Sequence, residues 1–221
     1  MRLAVLNGSP RGAQSNTDLL LSAFLAGFEE REGHEHVLFH LVSRFERVRA
    51  LEAFSRADAV LVAFPLYVDS MPAPVAEFVE ALAPRCGEAK NPGLLFLVQS
   101  GFPEACHSRP VERWAEKLAR RLGSPYLGTI VKGGVEGMRG RPPWMSRPLL
   151  EGLGTLGRGF AEKGTLDRQL VARLAGQERL GPIGRLLFGA VFTPLIHSFW
   201  DAELRKSGAL AHRDARPYAT T

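Results

Sequence analysis

The stretch Leu3-Ala4-Val5-Leu6-Asn7-Gly8-Ser9-Pro10-Arg11-Gly12-Ala13-Gln14-Ser15-Asn16-Thr17 decides the fold, because an apolar run ends in a polar loop that opens directly into a helical pattern. Four apolar side chains in succession read as a strand buried on both faces. Beyond the loop, Leu19, Leu20, Ala23, Phe24, Gly27 and Phe28 share one face of a helix that stops near Gly33. The same unit then repeats. Runs at 58–64, 93–99 and 126–132 are equally apolar, and 35–41 supplies a second strand. Helices read at 45–55, with Phe45, Val48, Leu51 and Phe54 towards the sheet, from Pro72 or Pro74 onward with Val75, Phe78, Val79 and Leu82 inward, and at 108–122. Five strand–helix repeats within residues 1–135 predict a three-layer, doubly wound α/β domain with a five-stranded parallel sheet in the order 2-1-3-4-5.

The character changes after residue 135. Gly133, Gly134, Gly137, Gly140, Pro142 and Pro143 crowd into eleven positions, which reads as a flexible loop. Helices then read at 146–163, 166–175 and 183–199, so that 136–221 forms a helical C-terminal extension packed on the domain or on a partner subunit. The segment 186–200 is the most apolar in the chain. At fifteen residues it falls short of the ~20 that a membrane span needs. Three readings stay open for it: a helix packed within the chain, a dimer interface or lid, and a helix lying in a membrane interface.

Composition excludes several classes. The 221 residues are 45% hydrophobic and 23% charged, which suits a folded globular protein. A net charge of +5 favours anionic ligands, but the basic residues are dispersed among acids, so no nucleic acid partner is expected. Two cysteines, Cys86 and Cys106, are too few for a disulfide framework or an all-thiolate metal site. His34, His36 and His40 alternate along and before a strand without the further ligands of a closed metal site, and no metal is expected. The N-terminus reaches Gly8 before a secretory core could be completed, so the cytoplasm is the expected compartment.

In a doubly wound sheet the loop after the first strand lies at the carboxyl edge beside the switch point. Its free N–H groups and the helix dipole suit an anion, and Ser9, Ser15, Asn16 and Thr17 add neutral donors. The loop lacks the glycine spacing of a dinucleotide fingerprint and the Gly-Lys-Ser/Thr ending of a triphosphate loop, so a terminal monophosphate fits better. A plain helix cap at Ser15 or Asn16 fits the residues equally well. Two more loops converge on the same edge. Phe64-Pro65-Leu66-Tyr67-Val68-Asp69-Ser70-Met71-Pro72 offers a stiff bend and a planar aromatic face, and Gln99-Ser100-Gly101-Phe102-Pro103-Glu104 offers close backbone approach. His107 and Glu104 read either as substrate contacts or as surface and cap residues of the next helix.

Gly8-Ser9-Pro10-Arg11 with Ser15-Asn16-Thr17, Phe64-Pro65-Leu66-Tyr67 with Met71-Pro72, and Gly101-Phe102-Pro103-Glu104 together resemble the NAD(P)H-dependent FMN reductases of flavodoxin-like fold. The resemblance covers about residues 1–135. It implies an FMN phosphate against Ser9, Arg11, Ser15, Asn16 and Thr17, and an isoalloxazine along Pro65, Leu66, Tyr67 and Val68 with Ser100, Gly101 and Phe102 on its other margin. It further implies hydride transfer from NADPH or NADH to a small acceptor such as a quinone, a free flavin, or a nitro or azo compound, with no catalytic side chain. A homodimer with the flavin pocket between subunits is implied as well. Some relatives carry a cysteine cluster after the second strand, whereas 42–52 contains no cysteine, which argues against an iron–sulfur centre. A flavodoxin-like electron carrier or regulatory module with little NAD(P)H oxidation, and the same fold without flavin, are the alternatives. Arg139 and Arg141 are candidates to meet a 2′-phosphate.

Overall fold

Strand polarity and alternation account for the layers. The computed structural model describes residues 1–216. Five strands, β1 (Arg2–Asn7), β2 (Glu35–His40), β3 (Ala59–Pro65), β4 (Gly93–Gln99) and β5 (Tyr126–Lys132), form one parallel sheet in the order β2-β1-β3-β4-β5. This is the expected order, with every pairing parallel. Successive side chains point to opposite faces. Leu3, Val5, Leu61, Leu95 and Leu97 therefore face one core, and Ala4, Leu6, Val60, Val62, Phe64 and Phe96 the other.

On the second face lie α2 (Arg44–Phe54), α3 (Ala73–Ala81) and α4 (Arg109–Leu122), which bring Phe54, Phe78 and Leu122 into that core. Helix α2 presents a different face from the one expected. Phe45 is 72% exposed and Val48 is exposed too, while Ala50 and Phe54 are buried. The Ser43 cap, whose Oγ accepts from the Glu46 N–H, starts the helix, and its phase then places Phe45 outward beneath the Arg49 guanidinium.

The first face is covered by α1 (Asn16–Phe28), α5 (Pro143–Lys163) and α6 (Arg168–Ala175). Of the extension at 136–221, expected to pack on the domain or on a partner, α5 and α6 pack on the domain. The compact unit runs Met1–Arg179, so α5 and α6 are part of it, and Leu180–Thr221 forms a second unit. Residues 217–221 of the extension lie outside the described residues. A close helix pair holds α5 in the first unit. A Cβ on Gly27 would sit 1.8 Å from the Gly154 carbonyl oxygen, and one on Gly157 would sit 1.9 Å from that of Phe24, so α1 and α5 pack backbone to backbone. Leu153, Leu156 and Phe160 then enter the core against Phe24 and Phe28, each worth about 1.5–3 kcal/mol of burial.

The second unit is described by itself. Helix α7 (Pro182–Leu187), a π-helical turn at Phe188–Phe192 and α8 (Thr193–Lys206) run as one continuous 25-residue helix, followed by a short 3-10 turn at Leu210–His212. The apolar stretch 186–200 alone falls short of a membrane span, but the helix extends beyond it at both ends. The continuous helix is long and apolar enough for one by length and composition.

Candidate functional site

Four loops leave the carboxyl ends of β1, β3, β4 and β5, and each is pinned to the next. The Gly8 N–H donates to the Ala63 carbonyl at 2.7 Å, and a Cβ there would meet Val75 Cγ2 of α3 at 2.1 Å, so glycine lets the first loop fit between β3 and α3. The Leu66 N–H donates to the Gln99 carbonyl at 2.7 Å, and the Ser100 N–H to that of Lys132 at 2.9 Å. Asn16 Nδ2 donates to the Val135 carbonyl at 2.9 Å, which closes the ring from the first loop to the fourth.

Asn7 organises the first loop from below. It is fully buried; its Oδ1 accepts from the Ser9 N–H at 3.0 Å and its Nδ2 lies 3.0 Å from Asp18 Oδ1, with the Gly12 carbonyl and Ser15 Oγ slightly farther. Asp18 also meets His40 Nε2 at 3.0 Å. Ser15 is the N-cap of α1, its Oγ accepting from the Asp18 N–H at 3.1 Å. The cap and anion readings of this loop are therefore compatible. As an acceptor in that cap, Ser15 keeps its own hydroxyl proton to donate. The same holds for Ser9, whose Oγ accepts from the Arg11 N–H. The N–H groups of Asn16 and Thr17, first in the helix, have no intrahelical acceptor.

Ser9, Arg11, Ser15, Asn16, Pro65, Leu66, Tyr67, Ser100 and Gly101 line one cleft at this edge, joined by Gln99 and Glu136. Three expected residues lie outside its lining. Thr17 is fully buried beneath the loop, its Oγ1 accepting from Gln99 Nε2 at 3.3 Å. Val68 is 99% exposed, and Phe102 is exposed and stacked on His107 with ring centroids 4.7 Å apart. Tyr67 and Ser70 exchange backbone hydrogen bonds of 2.9 Å around Val68 (φ 48°) and Asp69 (φ 57°), a tight turn with two left-handed residues. For a β-branched residue this is strain of about 1–3 kcal/mol. Among the described residues the N–H groups of Val68, Asp69, Gly101 and Phe102 are not taken up by another group, while those of Leu66 and Tyr67 are.

The charges around the cleft are mixed. Arg11 meets Glu136 at 3.5 Å, both half-exposed, so its guanidinium is free to turn towards a stronger anion. Arg139 donates to the Ala13 and Ser15 carbonyls, the latter at 2.7 Å, and Arg141 to those of Gly134 and Glu136. Both arginines brace loops. Burial, together with Arg141, holds the Lys132 ammonium below its ordinary pKa at the end of β5. The three histidines have separate partners: His34 packs edge-on against Phe28, His36 pairs with Glu29, and His40 sits between Asp18 and Glu46. Glu104, Cys106 and His107 bring one ligand atom each within 4.8 Å of one another, a half-buried trio able to hold a metal ion. Both cysteines are free thiols.

A wider hollow, lined by Arg2, His36, Phe39, Arg49 and Arg56, opens at the amino ends of β1 and β2. Ligands of doubly wound sheets bind at the opposite edge, where the cleft lies. Asn7 and Gln99 stand in the loops read from the sequence without a role of their own, and Glu136 is not among the expected residues. The one signal was a polar Asn closing a buried strand; Gln99 and Glu136 act through contacts distant in sequence.

A family model described as a flavodoxin-like fold matches residues 1–85, which contain the first two of the three motifs. No curated protein sequence matches the chain significantly. Among solved structures, an azoreductase is similar at 17% identity and a TM-score of 0.56, over 72% of this chain and 100% of that one. An NAD(P)H:quinone oxidoreductase from Methanothermobacter marburgensis is similar at 18% identity and 0.58, over 72% and 96%. The apo form of an NADH:FMN oxidoreductase is similar at 16% identity and 0.55, over 82% and 97%. At such identities the likeness shows the fold, and the chain has the flavodoxin-like fold that the sequence motifs implied.

Proposed function

We propose that this flavodoxin-like chain is an FMN-dependent oxidoreductase that takes hydride from NADH or NADPH and passes electrons to a small acceptor, such as a quinone, a flavin, or a nitro or azo compound. The observation that carries the reading is the convergence of nine separately expected residues, from loops up to 92 positions apart, on one cleft at the carboxyl edge of the sheet. Structural neighbours whose names describe azo, quinone and FMN reduction support the class.

The residues present fit a flavin monophosphate by donor chemistry. The hydroxyls of Ser9 and Ser15, the N–H groups of Asn16 and Thr17, and the Arg11 guanidinium form a donor set for a terminal phosphate at a positive helix end. Thr17 contributes its backbone, while its buried hydroxyl ties the helix to Gln99. Pro65, Leu66 and Tyr67 give a flat margin for a heteroaromatic ring, and the N–H of Gly101, a residue of the cleft lining whose N–H no other described group takes up, is a donor left for its polar edge. FMN, when bound, supplies the hydride-accepting and electron-donating ring; the chain positions it and sets the field with fixed amide dipoles. No side-chain acid or nucleophile is required. The resemblance extends the reading to a homodimer, and the expected compartment, the cytoplasm, is one that supplies NADH and NADPH.

Steady-state kinetics test the reading. One exposed ring face serving donor and acceptor in turn predicts ping-pong behaviour, with parallel lines in double-reciprocal plots. Intersecting lines for the FMN-loaded protein would contradict it.

A further inference from the structure

The second unit carries a feature that the cleft chemistry does not use. Along Pro182–Lys206, polar and apolar residues each recur every four positions. A pure α-helix would rotate such a series by about 40° per step and smear both stripes. Pro194, lacking an N–H, cannot bond back to Ala190, and the π turn at Phe188–Phe192 just before it holds an extra residue in one turn. One extra residue takes up about 100° of that drift. Gly189, Thr193, His197, Ser198, Asp201 and Arg205 line one shallow face. Ile183, Leu187, Leu195, Ile196, Phe199 and Trp200 are all exposed apolar residues of the same helix.

The charges show what suits that surface. Asp201 is held by both oxygens at 2.8 Å from Arg213, which also reaches His197, and Glu203 is held by Lys206 at 2.6 Å. The helix's two carboxylates are thus neutralised within the unit. Arg185 and Arg205 have no carboxylate partner among the described residues. The charge left over on the helix is cationic and brackets the apolar residues, with Phe199 and Trp200 near one end. Two copies of this helix face to face would set like charges together, whereas anionic headgroups complement them. A spanning arrangement would carry the His197–Asp201–Arg213 network into hydrocarbon at high cost. An in-plane arrangement leaves it in water.

We infer that Pro182–Lys206 docks the protein on bilayers containing anionic lipid, lying in the plane of the interface with Leu187, Leu195 and Phe199 inserted and Arg185 and Arg205 at the headgroups. The inference is independent of the cleft. Its test is flotation of the full chain with vesicles of phosphatidylcholine alone or mixed with phosphatidylglycerol. The chain should float with the mixed vesicles, and high salt should release much of it. L187E/L195E should bind at least tenfold more weakly. R185E/R205E should lose the preference for anionic lipid. Unchanged far-ultraviolet dichroism in each variant shows that the fold is intact. Failure of the parent chain to float overturns the inference, as does equal binding by the parent and L187E/L195E. A dimer in light scattering that L187E/L195E dissolves, without vesicle binding, would assign the surface to a second copy instead.

Discussion

Gly157 and Gly159 lie two residues apart on α5, yet alanine should act on them with opposite sign. At Gly157 the new Cβ would stand 1.9 Å from the Phe24 carbonyl oxygen, 2.9 Å from its carbon and 3.0 Å from the Phe28 nitrogen. All three are backbone atoms of α1, so no side-chain rotation relieves the clash. The helices must part by about an ångström, a gap that forfeits a quarter to a half of each dispersion contact it opens. Leu153, Leu156, Phe160, Phe24 and Phe28 all lose contact across this seam. Overpacking of this kind costs about 1–3 kcal/mol, and the partial loss of core contacts adds to it. The better helix propensity of alanine returns about 1 kcal/mol, leaving a net loss of about 2–3 kcal/mol for G157A. At Gly159 a Cβ meets nothing within 4 Å, so G159A should gain about 0.5–1 kcal/mol. Urea unfolding measures both. With a slope of about 2 kcal/mol/M, G157A should lower the midpoint by about 1 M or more and G159A should raise it slightly. A G157A midpoint equal to that of the parent chain, or shifted upward with G159A, would refute the placement of α5 in the core.

Four further variants probe the site and the rest of the fold. S15A should weaken FMN binding by about 1–3 kcal/mol and also cost about 1 kcal/mol of stability, because Ser15 caps α1; T17A should reduce FMN affinity by stranding the Gln99 amide, as titration of the apoprotein would show. V68N should stabilise the chain by about 0.5–1 kcal/mol, read as a higher melting temperature, since Asn accepts a left-handed backbone and the Val68 side chain is 99% exposed. Arg109 lowers the pKa of Glu178 below its ordinary value through a charged hydrogen bond, so the pair stabilises the fold above that ordinary value and loses its effect as pH falls through the lowered one. E178Q should thus cost a few tenths of a kcal/mol at neutral pH, a small figure because the carboxylate is largely exposed, and the difference should vanish in acid denaturation series.

The sheet was legible because a parallel strand buried on both faces is written as a continuous apolar run, and β1, β3, β4 and β5 fall within a residue of those runs. Helix α5 was not legible as part of the domain. Gly152, Gly154, Gly157 and Gly159 weaken its helical signal, and the purpose of Gly154 and Gly157 appears only when α1 is set against them, that of Gly152 only when Leu174 of α6 is. Phe45 and Val48 misled because apolar spacing alone does not fix which face of a short helix turns inward. At the site, loop residues at strand ends were readable, since the fold brings strand ends together. The bracing by Asn7, Arg139 and Gln99 depends on contacts that no local pattern encodes, and a β-branched Val68 counts against the turn it occupies.

The most direct test of the central claim is the visible spectrum of the purified protein, loaded with FMN where needed, before and after anaerobic addition of NADPH or NADH. The account predicts a yellow protein that bleaches on adding the nicotinamide and recovers its colour with a quinone. A colourless protein that refuses added FMN would contradict the site, and a yellow protein that neither nucleotide bleaches would contradict the catalysis.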